Sequence, residues 1–339
     1  MYRVGLVGAG GVGRKRAAAI ARHPKSELVL VHDLDREAAA ALAGQSGAAM
    51  AASWQEVVES ARVDIAVVST SHDALALISE AALRAGKHVL CEKPAGRDPA
   101  EVRRVVEAAE AAGQCLKAGY NHRYHPAIAR VRQAFDAGRI GPILFIRGRY
   151  GHGGRPGYER EWRADPARAG GGEMLDQGAH LVDLCLWFLG DFAQVTGAVS
   201  TCFWEIAPLE DNAFGLFSTP GGQVASLHVS WTQWKNLFEF EVFGREGYAI
   251  ARGLGGSYGP EHALIGQRQP GGPPVEERFD FPGEDRSWDL EWEDFLRAVD
   301  TGVPPQASGR EALRTMEWVY RLYQAARSGR AMEGGEYST

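Results

Sequence analysis

The sequence predicts an α/β fold, with an N-terminal doubly wound parallel sheet followed by an α+β domain on an open, mostly antiparallel sheet. Over residues 1–119, short apolar strands alternate with alanine-rich helices, which is typical of βαβ units. From Gly141 onward, strands of alternating polarity follow one another through short turns. A chain of 339 residues is long enough for two cores, so we predict domains at 1–120 and 121–330 and a loose tail at 331–339.

Apolar runs and helix-start signals indicate the individual elements. Ser53 with Glu56, and Asp98-Pro99 with Glu101, are capping boxes that predict helix starts. Strands of the first domain are predicted at 3–7, 28–32, 64–69, 88–91 and 115–119, with a weaker one near residue 48. In the second domain we predict strands at 143–150, 195–203, 213–218, 224–231, 238–243 and 248–251, and helices at 173–189, 288–299 and 308–328.

The first strand ends in a glycine-rich turn, Gly8-Ala9-Gly10-Gly11-Val12-Gly13, which leads into a helix. This GxGxxG spacing matches the dinucleotide-binding fingerprint. Gly8 permits the tight turn, Gly10 lets the backbone approach a pyrophosphate, and Gly13 lets helix and strand pack closely. The helix N-terminus supplies amide donors and partial positive charge. We therefore predict a Rossmann domain that holds its cofactor at residues 8–13.

An acidic residue closes the second strand. Asp33 lies about 20 residues after Gly13, where a carboxylate accepts hydrogen bonds from the adenosine ribose and repels a 2′-phosphate. NAD is therefore predicted over NADP, although Arg14 and Arg36 are near enough in sequence to leave NADP open. Alternatively, Asp33 is a helix N-cap, a role that Asp35 fills equally well.

A lysine follows the apolar strand at 88–91, within the run Glu92-Lys93-Pro94. In open parallel sheets, ligands bind at the carboxyl ends of the strands. The proline fixes the backbone directly after the lysine. Lys93 is therefore predicted to lie between cofactor and substrate, where it stabilises or relays charge at the reacting oxygen.

The predicted helix at 173–189 carries the acid/base candidates. Asp176 and His180 are four residues apart and share one helix face. Because histidine titrates near neutral pH, His180 is suited to exchange a proton with a carbinol oxygen, while Asp176 orients it or binds a neighbouring hydroxyl. Gly178 between them would let a substrate or nicotinamide ring come close. Alternatively, His180 is a core histidine and Asp176 a charge at the helix N-terminus.

Three motifs follow one another along the chain: the glycine-rich turn, Glu92-Lys93-Pro94, and Gly170-Gly171-Gly172 leading to Asp176-Gln177-Gly178-Ala179-His180. With them the chain resembles the glucose-fructose oxidoreductase and inositol dehydrogenase family (Gfo/Idh/MocA) over nearly its whole length. The resemblance implies chemistry at a secondary carbinol of a sugar, cyclitol or related polyol, and a C-terminal sheet used in oligomer contacts. Ser71 and Leu75 depart from the family pattern, which has proline and histidine at these places.

The resemblance also implies further site residues. Those expected at the cofactor are Ser69, Thr70, Ser71, Glu92, Lys93, Pro94 and Asn121. Arg123 is expected to contact substrate; alternatively, it holds the domain interface through an ion pair. Trp162 and Arg163, which precede the acid/base helix, and Lys235 are predicted to line the substrate pocket.

Aromatic residues are dense in the strands of the second domain. Those predicted to make the outer face of its sheet apolar are Trp231, Trp234, Phe238 and Phe240. Exposed apolar faces mark interaction surfaces, so we predict a homodimer or homotetramer.

The composition argues against several classes of protein. A net charge of −6 without a basic run argues against a nucleic-acid partner. Without a signal peptide or a long apolar run, we expect a cytoplasmic protein with no membrane partner. The four cysteines have no CxxC spacing and are expected to be reduced core thiols. His122 and His125 lack companion ligands at metal spacing, so no metal is expected.

These features predict an oxidoreductase that transfers hydride between NAD(P) and a secondary carbinol of a sugar, nucleotide sugar, sugar phosphate or cyclitol. Two alternatives stay open from the sequence. One is an NAD-dependent glycosidase on the same fold, which would release product with no net NADH. The other is a non-catalytic sensor that binds the dinucleotide, a role that would not need Lys93 and His180 together.

Overall fold

The computed structural model describes residues 1–335 of the chain. These residues divide into two compact units. The first comprises 1–120, 167–170 and 288–314, and the second comprises 121–166, 171–287 and the described residues from 315 onward. Within the described range, no helix is long and apolar enough to cross a bilayer.

The first unit contains a parallel sheet with helices between its strands. Its strands are β1 (Tyr2–Val7), β2 (Ser26–His32), β3 (Ala49–Met50), β4 (Ile65–Val68), β5 (His88–Cys91) and β6 (Leu116–Ala118). The intervening helices are α1 (Gly11–Arg22), α2 (Arg36–Ser46), α3 (Trp54–Glu59), α4 (His72–Arg84) and α5 (Pro99–Ala112). The spatial order of the strands is β3-β2-β1-β4-β5-β6, which confirms the doubly wound sheet. From β1 the chain adds strands first on one side of the sheet and then, from β4, on the other, and such sheets bind ligands at this switch point between β1 and β4.

Both predicted capping boxes of this unit form. The Ser53 hydroxyl oxygen accepts from the Glu56 amide at 3.2 Å, at the start of α3. The Asp98 carboxylate accepts from the Glu101 amide at 2.8 Å, at the start of α5. Each side chain binds an amide that the first helical turn leaves without a partner, so both helices begin where the sequence predicts.

The chain from residue 121 to 287 supplies most of the second unit. Its helices are α6 (Pro126–Asp136) and α8 (Ala179–Leu189), and a π-helical segment (Met174–Gly178) leads into α8. Between α6 and this segment, the short helix α7 (Pro166–Ala169) lies almost wholly in residues 167–170 of the first unit. Its strands are β7 (Ile143–Gly151), β8 (Gln194–Ser200), β9 (Asn212–Ser218), β10 (Val224–Ser230), β11 (Leu237–Gly244), β12 (Gly247–Arg252), β13 (His262–Gln267) and β14 (Val275–Asp280). A last strand, β15 (Met332–Glu333), completes a sheet with the order β14-β13-β12-β11-β7-β10-β9-β8-β15. Among the described strands of this sheet, β7 and β10 alone pair in parallel, so the predicted mostly antiparallel sheet is confirmed.

Two features of this sheet differ from the predictions. β13 and β14 were not predicted. β14 is an exposed edge strand of mainly charged residues, so its sequence has no apolar face that would indicate a strand. Met332 and Glu333, assigned to a loose tail, pair with Val195 and Gln194 of β8. The last four residues of that predicted tail, 336–339, lie outside the described range.

The predicted aromatic outer face is wrong for three of its four residues. Trp231, Phe238 and Phe240 are at most 1% exposed. Phe240 packs on Phe188 of α8, with ring centroids 5.6 Å apart, and Trp231 packs on Tyr158 at 4.7 Å. Trp234 alone is exposed. Among the cysteines, all of which are free thiols, Cys202 is exposed and not in the core.

Two further helices follow the sheet strands, α9 (Ser287–Thr301) and α10 (Gly309–Ser328). Residues 288–314 belong to the first unit, whereas the sequence assigned them to the second domain. Burial explains the difference, because Trp292 and Phe295 of α9 are in the same hydrophobic core as Val4 and Leu6 of β1. The indole nitrogen of Trp292 also donates to the Ser26 hydroxyl at 3.0 Å.

A buried arginine connects three elements of the first unit. Arg16 of α1 is 1% exposed, and its Nε lies 2.7 Å from Oε1 of Glu92, just after β5. Its Nη1 lies 2.5 Å from Oε2 of Glu291 on α9. A Cβ on Gly119, after β6, would lie 2.7 Å from both the guanidinium and the Glu92 carboxylate. Only glycine leaves room for this ion cluster.

Replacing Arg16 should destabilise the first unit strongly. Arg16→Met leaves Glu92 and Glu291 buried without a cation, which costs about 3–5 kcal/mol when one partner of a buried pair is removed. Burial already raises the pKa of Glu291 above its value in the unfolded chain. A carboxyl group with a raised pKa favours the folded state at low pH, where it is protonated, and this contribution is lost as the pH rises. The loss should therefore be greatest at pH 7.5 and smaller at pH 5, as measured by urea unfolding.

The matched control is Arg22→Met. Arg22 lies on the same helix, pairs with Asp289 of α9 and has a side chain that is 54% exposed. An exposed ion pair contributes less than about 1 kcal/mol. Equal losses in the two variants, or a loss for Arg16→Met that does not change with pH, would contradict the assigned role of the buried cluster.

Candidate active site

The glycine-rich turn between β1 and α1 has the geometry that its sequence predicts. Gly8 has φ +102°, and a Cβ there would lie 2.4 Å from the Ser69 carbonyl oxygen. A Cβ on Gly13 would lie 1.9 Å from the Gly8 carbonyl oxygen. Around Gly10 and Gly11, in contrast, a Cβ would meet no atom within 4 Å. The backbone is therefore tightly packed beneath the turn and open above it, which fits a bound pyrophosphate at the helix N-terminus.

Asp33 lies after β2 and holds this turn. Its Oδ2 accepts from the Ala9 amide at 2.6 Å, and its Oδ1 accepts from the Asp35 amide at 2.8 Å. Asp35 itself is the N-cap of α2, where its side chain accepts from the Glu37 and Ala38 amides. Capping is therefore done by Asp35, and the carboxylate of Asp33 stands at the cofactor turn.

The predicted nicotinamide loop follows β4. The Ser69 hydroxyl donates to the Gly8 carbonyl at 2.8 Å, so this loop is bonded to the glycine turn. Ser71 is the N-cap residue of α4, and its hydroxyl donates to Asp73 at 2.6 Å. Thr70 between them is partly exposed. The structure thus brings Ser69 beside the turn, whereas contacts of Thr70 and Ser71 with a ribose stay predictions.

The turn Glu92-Lys93-Pro94 leaves β5 at the carboxyl edge of the same sheet. Glu92 is anchored by Arg16, and the peptide between Lys93 and Pro94 is cis. Ala95 has φ +71°, a conformation that costs a non-glycine residue free energy. Lys93, which is partly buried, directly follows the anchored Glu92.

The π-helical segment before α8 carries Asp176, and His180 lies in the first turn of α8. Both are buried, with 7% and 4% exposure. The Asp176 carboxylate accepts from Nε of Arg163 at 2.9 Å. Arg163, a predicted pocket residue, is therefore hydrogen-bonded to Asp176, a predicted catalytic residue. A Cβ on Gly178 would lie 2.7 Å from the Met174 sulfur, so this glycine makes room for Met174 and not for a ligand.

The His180 imidazole is stacked on that of His122, with ring centroids 3.6 Å apart and an interplanar angle of 19°. Tyr150 of β7 lies edge-on to His180 at 6.4 Å. Burial raises the pKa of Tyr150 well above its usual value, so this phenol stays neutral. The sequence offered no role for either neighbour, since their proximity to His180 depends on tertiary packing.

Asn121 is buried and lies behind the stacked histidines. Its amide nitrogen donates to the Ser287 hydroxyl at 2.9 Å, and its Oδ1 lies 3.2 Å from Nδ1 of His122. The Ser287 hydroxyl in turn donates to Asp285 at 2.6 Å. Because Ser287 accepts from Asn121, the amide oxygen faces His122, and Nδ1 of that ring carries a hydrogen.

Arg123 lies next to this cluster but points to α8. Its Nε and Nη2 lie 2.8 Å and 2.6 Å from the two carboxylate oxygens of Asp183, a bidentate pair with both side chains buried. The structure therefore gives Arg123 a role in holding α8 within the second unit. Its expected contact with substrate stays a prediction.

The other predicted pocket residues differ in their placement. Trp162 carries the Arg163 guanidinium over its ring at 4.4 Å. Lys235 is exposed in the loop between β10 and β11. Beside Arg163 and Asp176 lies His152, whose pKa is lowered first by burial, although Asp176 acts in the opposite direction. The sequence predicts that the glycine-rich loop around it, residues 151–157, could line the pocket, but it singles out no role for His152 itself.

Comparisons with known proteins agree with this geometry. The NAD-binding Rossmann profile of the Gfo/Idh/MocA oxidoreductase family matches residues 2–120, and its C-terminal domain profile matches residues 128–250. The 1,5-anhydro-D-fructose reductase of Ensifer adhaerens is 34% identical over 259 residues, which cover 75% of this chain and 77% of that protein. The levoglucosan dehydrogenase of Pseudarthrobacter phenanthrenivorans is 28% identical over 65% of this chain and 59% of its own length.

Two solved structures extend the likeness to the whole chain. A levoglucosan dehydrogenase in complex with NADH has a TM-score of 0.89 at 20% identity, covering 99% of this chain and all of that one. GenD2 from gentamicin A biosynthesis, in complex with NAD, has a TM-score of 0.85 at 26% identity, covering 99% of this chain and 97% of that one. With both of its domain profiles matched, the chain belongs to the Gfo/Idh/MocA family of NAD-binding oxidoreductases.

Proposed function

We propose that this enzyme transfers hydride between NAD and a secondary carbinol of a sugar, nucleotide sugar, sugar phosphate or cyclitol. Relatives named as an anhydrofructose reductase, inositol 2-dehydrogenases and a dTDP-sugar 3-reductase support that range of substrates. The observation that carries the proposal is the buried segment in which Asp176 is paired with Arg163 and His180 follows four residues later. Such an arrangement serves proton transfer, which a simple dinucleotide sensor does not need.

The cofactor would be held by residues of the first unit. The open backbone at Gly10 and Gly11 would face the pyrophosphate, and the Asp33 carboxylate would accept from the adenosine ribose. When bound, the nicotinamide supplies or takes up the hydride. NADP is the less favoured cofactor, because the Asp33 carboxylate repels a 2′-phosphate.

His180 is proposed as the general acid/base at the carbinol oxygen, since histidine exchanges protons near neutral pH. Lys93 is proposed to stabilise the charge on the same oxygen. Asp176 would orient His180 or bind a neighbouring hydroxyl, and its pair with Arg163 fixes the carboxylate for either role. Trp162, Arg163 and Lys235 would contact more distant parts of the substrate.

The cofactor assignment makes a binding prediction. Asp33→Asn should weaken NAD by about 1–3 kcal/mol, the contribution of hydrogen bonds to a charged group. NADP should improve relative to NAD, because the charge that repels its 2′-phosphate is gone. Asp35→Asn is the matched control, since it alters the neighbouring carboxylate that only caps α2. Titration of both cofactors tests this, and a wild-type preference for NADP would overturn the assignment.

The catalytic assignment makes a kinetic prediction. The substrate is first identified by testing a panel of sugars, nucleotide sugars and cyclitols for reduction of NAD, which is measured at the NADH absorbance band. His180→Ala should slow single-turnover hydride transfer about 10²- to 10⁴-fold and flatten its pH profile near neutrality. Lys93→Ala should reduce turnover far more than it weakens NAD binding.

Two controls accompany these variants, Lys87→Ala at the opposite end of β5 and His262→Ala on β13. Both should keep wild-type rates. Wild-type transfer rates across pH in His180→Ala would show that this histidine is structural and that another group moves the proton. A panel with no reactive member would contradict the proposed activity itself.

We also propose that the enzyme is a homodimer or homotetramer that assembles through the open face of its second sheet. On β9 this face exposes Phe214 and Leu216, at 48% and 50%. Arg147 and Arg149 lie beside them in a groove of about 640 Å³. Aromatic and arginine side chains are enriched at protein interfaces, which supports this face and not the aromatic residues first expected there.

Assembly is tested by sedimentation velocity. The wild type should sediment as a dimer or tetramer at micromolar concentration, and Leu216→Glu should dissociate it by placing a charge in the interface. Leu77→Glu is the matched control, because Leu77 is 57% exposed on α4 of the first unit. A strictly monomeric wild type would rule out the proposed interface.

We place the enzyme in the cytoplasm. NAD chemistry and four free thiols both suit a reducing compartment that supplies the dinucleotide. Fractionation of the producing cells, with the protein detected by antibody, tests this placement.

A further inference from the structure

The start of the segment that carries Asp176 and His180 is bound by a single buried residue, Glu210. Its carboxylate accepts from the Gly172 amide at 3.1 Å and from the Met174 amide at 3.0 Å. Its backbone carbonyl accepts from the Glu173 amide at 3.0 Å. Amides in the first turn of a helix have no partner within the helix. Glu210, which precedes β9, therefore caps three successive amides from a distant part of the chain.

A tyrosine completes the cap. The Tyr323 hydroxyl, on α10, donates to Oε1 of Glu210 at 2.6 Å. Glu210 is 5% exposed and Tyr323 is 9% exposed. Burial raises the pKa of Glu210, while the bonds from Tyr323 and the amides act against that shift. Two amides and the Tyr323 hydroxyl donate to this carboxylate. An ionised carboxylate only accepts hydrogen bonds, so the ionised form fits these three donors. We call Glu210 and Tyr323 the carboxylate clamp.

The clamp explains two glycines of the Gly170-Gly171-Gly172 run. A Cβ on Gly172 would lie 2.0 Å from the Glu210 carbonyl oxygen. A Cβ on Gly171 would lie 2.6 Å from the Tyr323 hydroxyl. Neither position has φ in the left-handed region, so it is close approach and not backbone conformation that requires glycine. Glycine at positions 171 and 172 therefore leaves the space that the clamp needs to contact the backbone.

The clamped amides lead directly into the π-helical segment. The Asp176 amide donates to the Gly172 carbonyl at 2.9 Å, so the segment is built on a clamped residue. A π turn holds about one residue more than an α turn, so conversion between them would rotate Asp176 relative to His180 about the helix axis. Such a rotation would take Asp176 away from Arg163 or His180 away from His122. The position of the first turn therefore decides where both side chains point.

We propose that Glu210 and Tyr323 are positioning residues for Asp176 and His180. They fix the first turn and with it the register in which Asp176 meets Arg163 and His180 stacks on His122. Neither clamp residue is proposed to touch the substrate. The expected effect on turnover rests on the proposed function, whereas the effect on the backbone of the segment does not.

The test is Glu210→Gln, which keeps the size of the side chain but turns one acceptor oxygen into a donor facing donors. Its kcat should fall about 10- to 10²-fold, the range expected when a reacting group is misplaced by about 1 Å. The Kd for NAD should stay within about twofold, because the cofactor turn is in the other unit. Amide hydrogen exchange over residues 172–180 should accelerate. Tyr323→Phe, which removes one hydroxyl, should show the same changes to a smaller degree.

Glu261→Gln is the matched control. Glu261 is likewise 5% exposed in the second unit. It accepts from the Ala127 amide at 3.0 Å in the first turn of α6 and lies 3.1 Å from Nδ1 of His125, and neither α6 nor His125 provides a candidate catalytic group. Both variants should lower the Tm, but only Glu210→Gln should lower kcat and open the segment 172–180.

Equal kcat and equal exchange in the two variants would show that Glu210 stabilises the fold without positioning the site. If Glu210→Gln does not fold, Tyr323→Phe decides between the same outcomes. If the wild type reduces NAD with no member of the polyol panel, the proposed function fails, while hydrogen exchange over 172–180 still decides whether the clamp positions the segment.

Discussion

The buried guanidinium of Arg16 is the constraint on which the cofactor side of this enzyme depends. It lies between the carboxylates of Glu92 and Glu291, and the Trp288 ring lies 4.6 Å from it. Removing such a cation from water is costly unless its partners are fixed. The partners come from the turn after β5 and from α9, and Arg16 itself follows the glycine turn. One charge therefore fixes the glycine turn and the turn of Lys93 relative to each other.

In the second unit a comparable constraint acts on the backbone. The π-helical segment places Asp176 on Arg163 and brings His180 to the His122 ring. Amides at its start are held by the Glu210 carboxylate, which lies just before β9, and Arg123 binds α8 through Asp183. Distorted helices are frequent at functional sites, because an altered turn can aim side chains that a regular helix would point elsewhere.

Much of the first unit was predictable, because its signals are local. The glycine spacing, the two capping boxes and the apolar strands each act over a few residues, and all appear where expected. α9 was assigned to the wrong unit, since nothing local shows that Trp292 and Phe295 pack beside β1. Trp231 and Phe240 show the same limit of local signals. The sequence shows that they are aromatic, but which side of the sheet they lie on depends on packing against α8 and its neighbours.

The candidate site was predictable in its residue types more than in its contacts. Lys93, Asp176 and His180 stand out because their motifs are short and specific. The pair of Asp176 with Arg163 and the stacking of His180 on His122 each join residues that are far apart in the sequence. Glu210 carries no motif at all. Its role follows only from where its carboxylate lies in the folded chain.

In the proposed reaction, hydride moves directly between a carbinol carbon and the nicotinamide of bound NAD. Its most direct test uses sugars and cyclitols labelled with deuterium at carbon, incubated with the enzyme and unlabelled NAD in ordinary water. Mass spectrometry of the reduced cofactor should then show one deuterium, transferred from the substrate. Reduced cofactor without the label, or a labelled polyol consumed with no label in the cofactor, would contradict direct transfer.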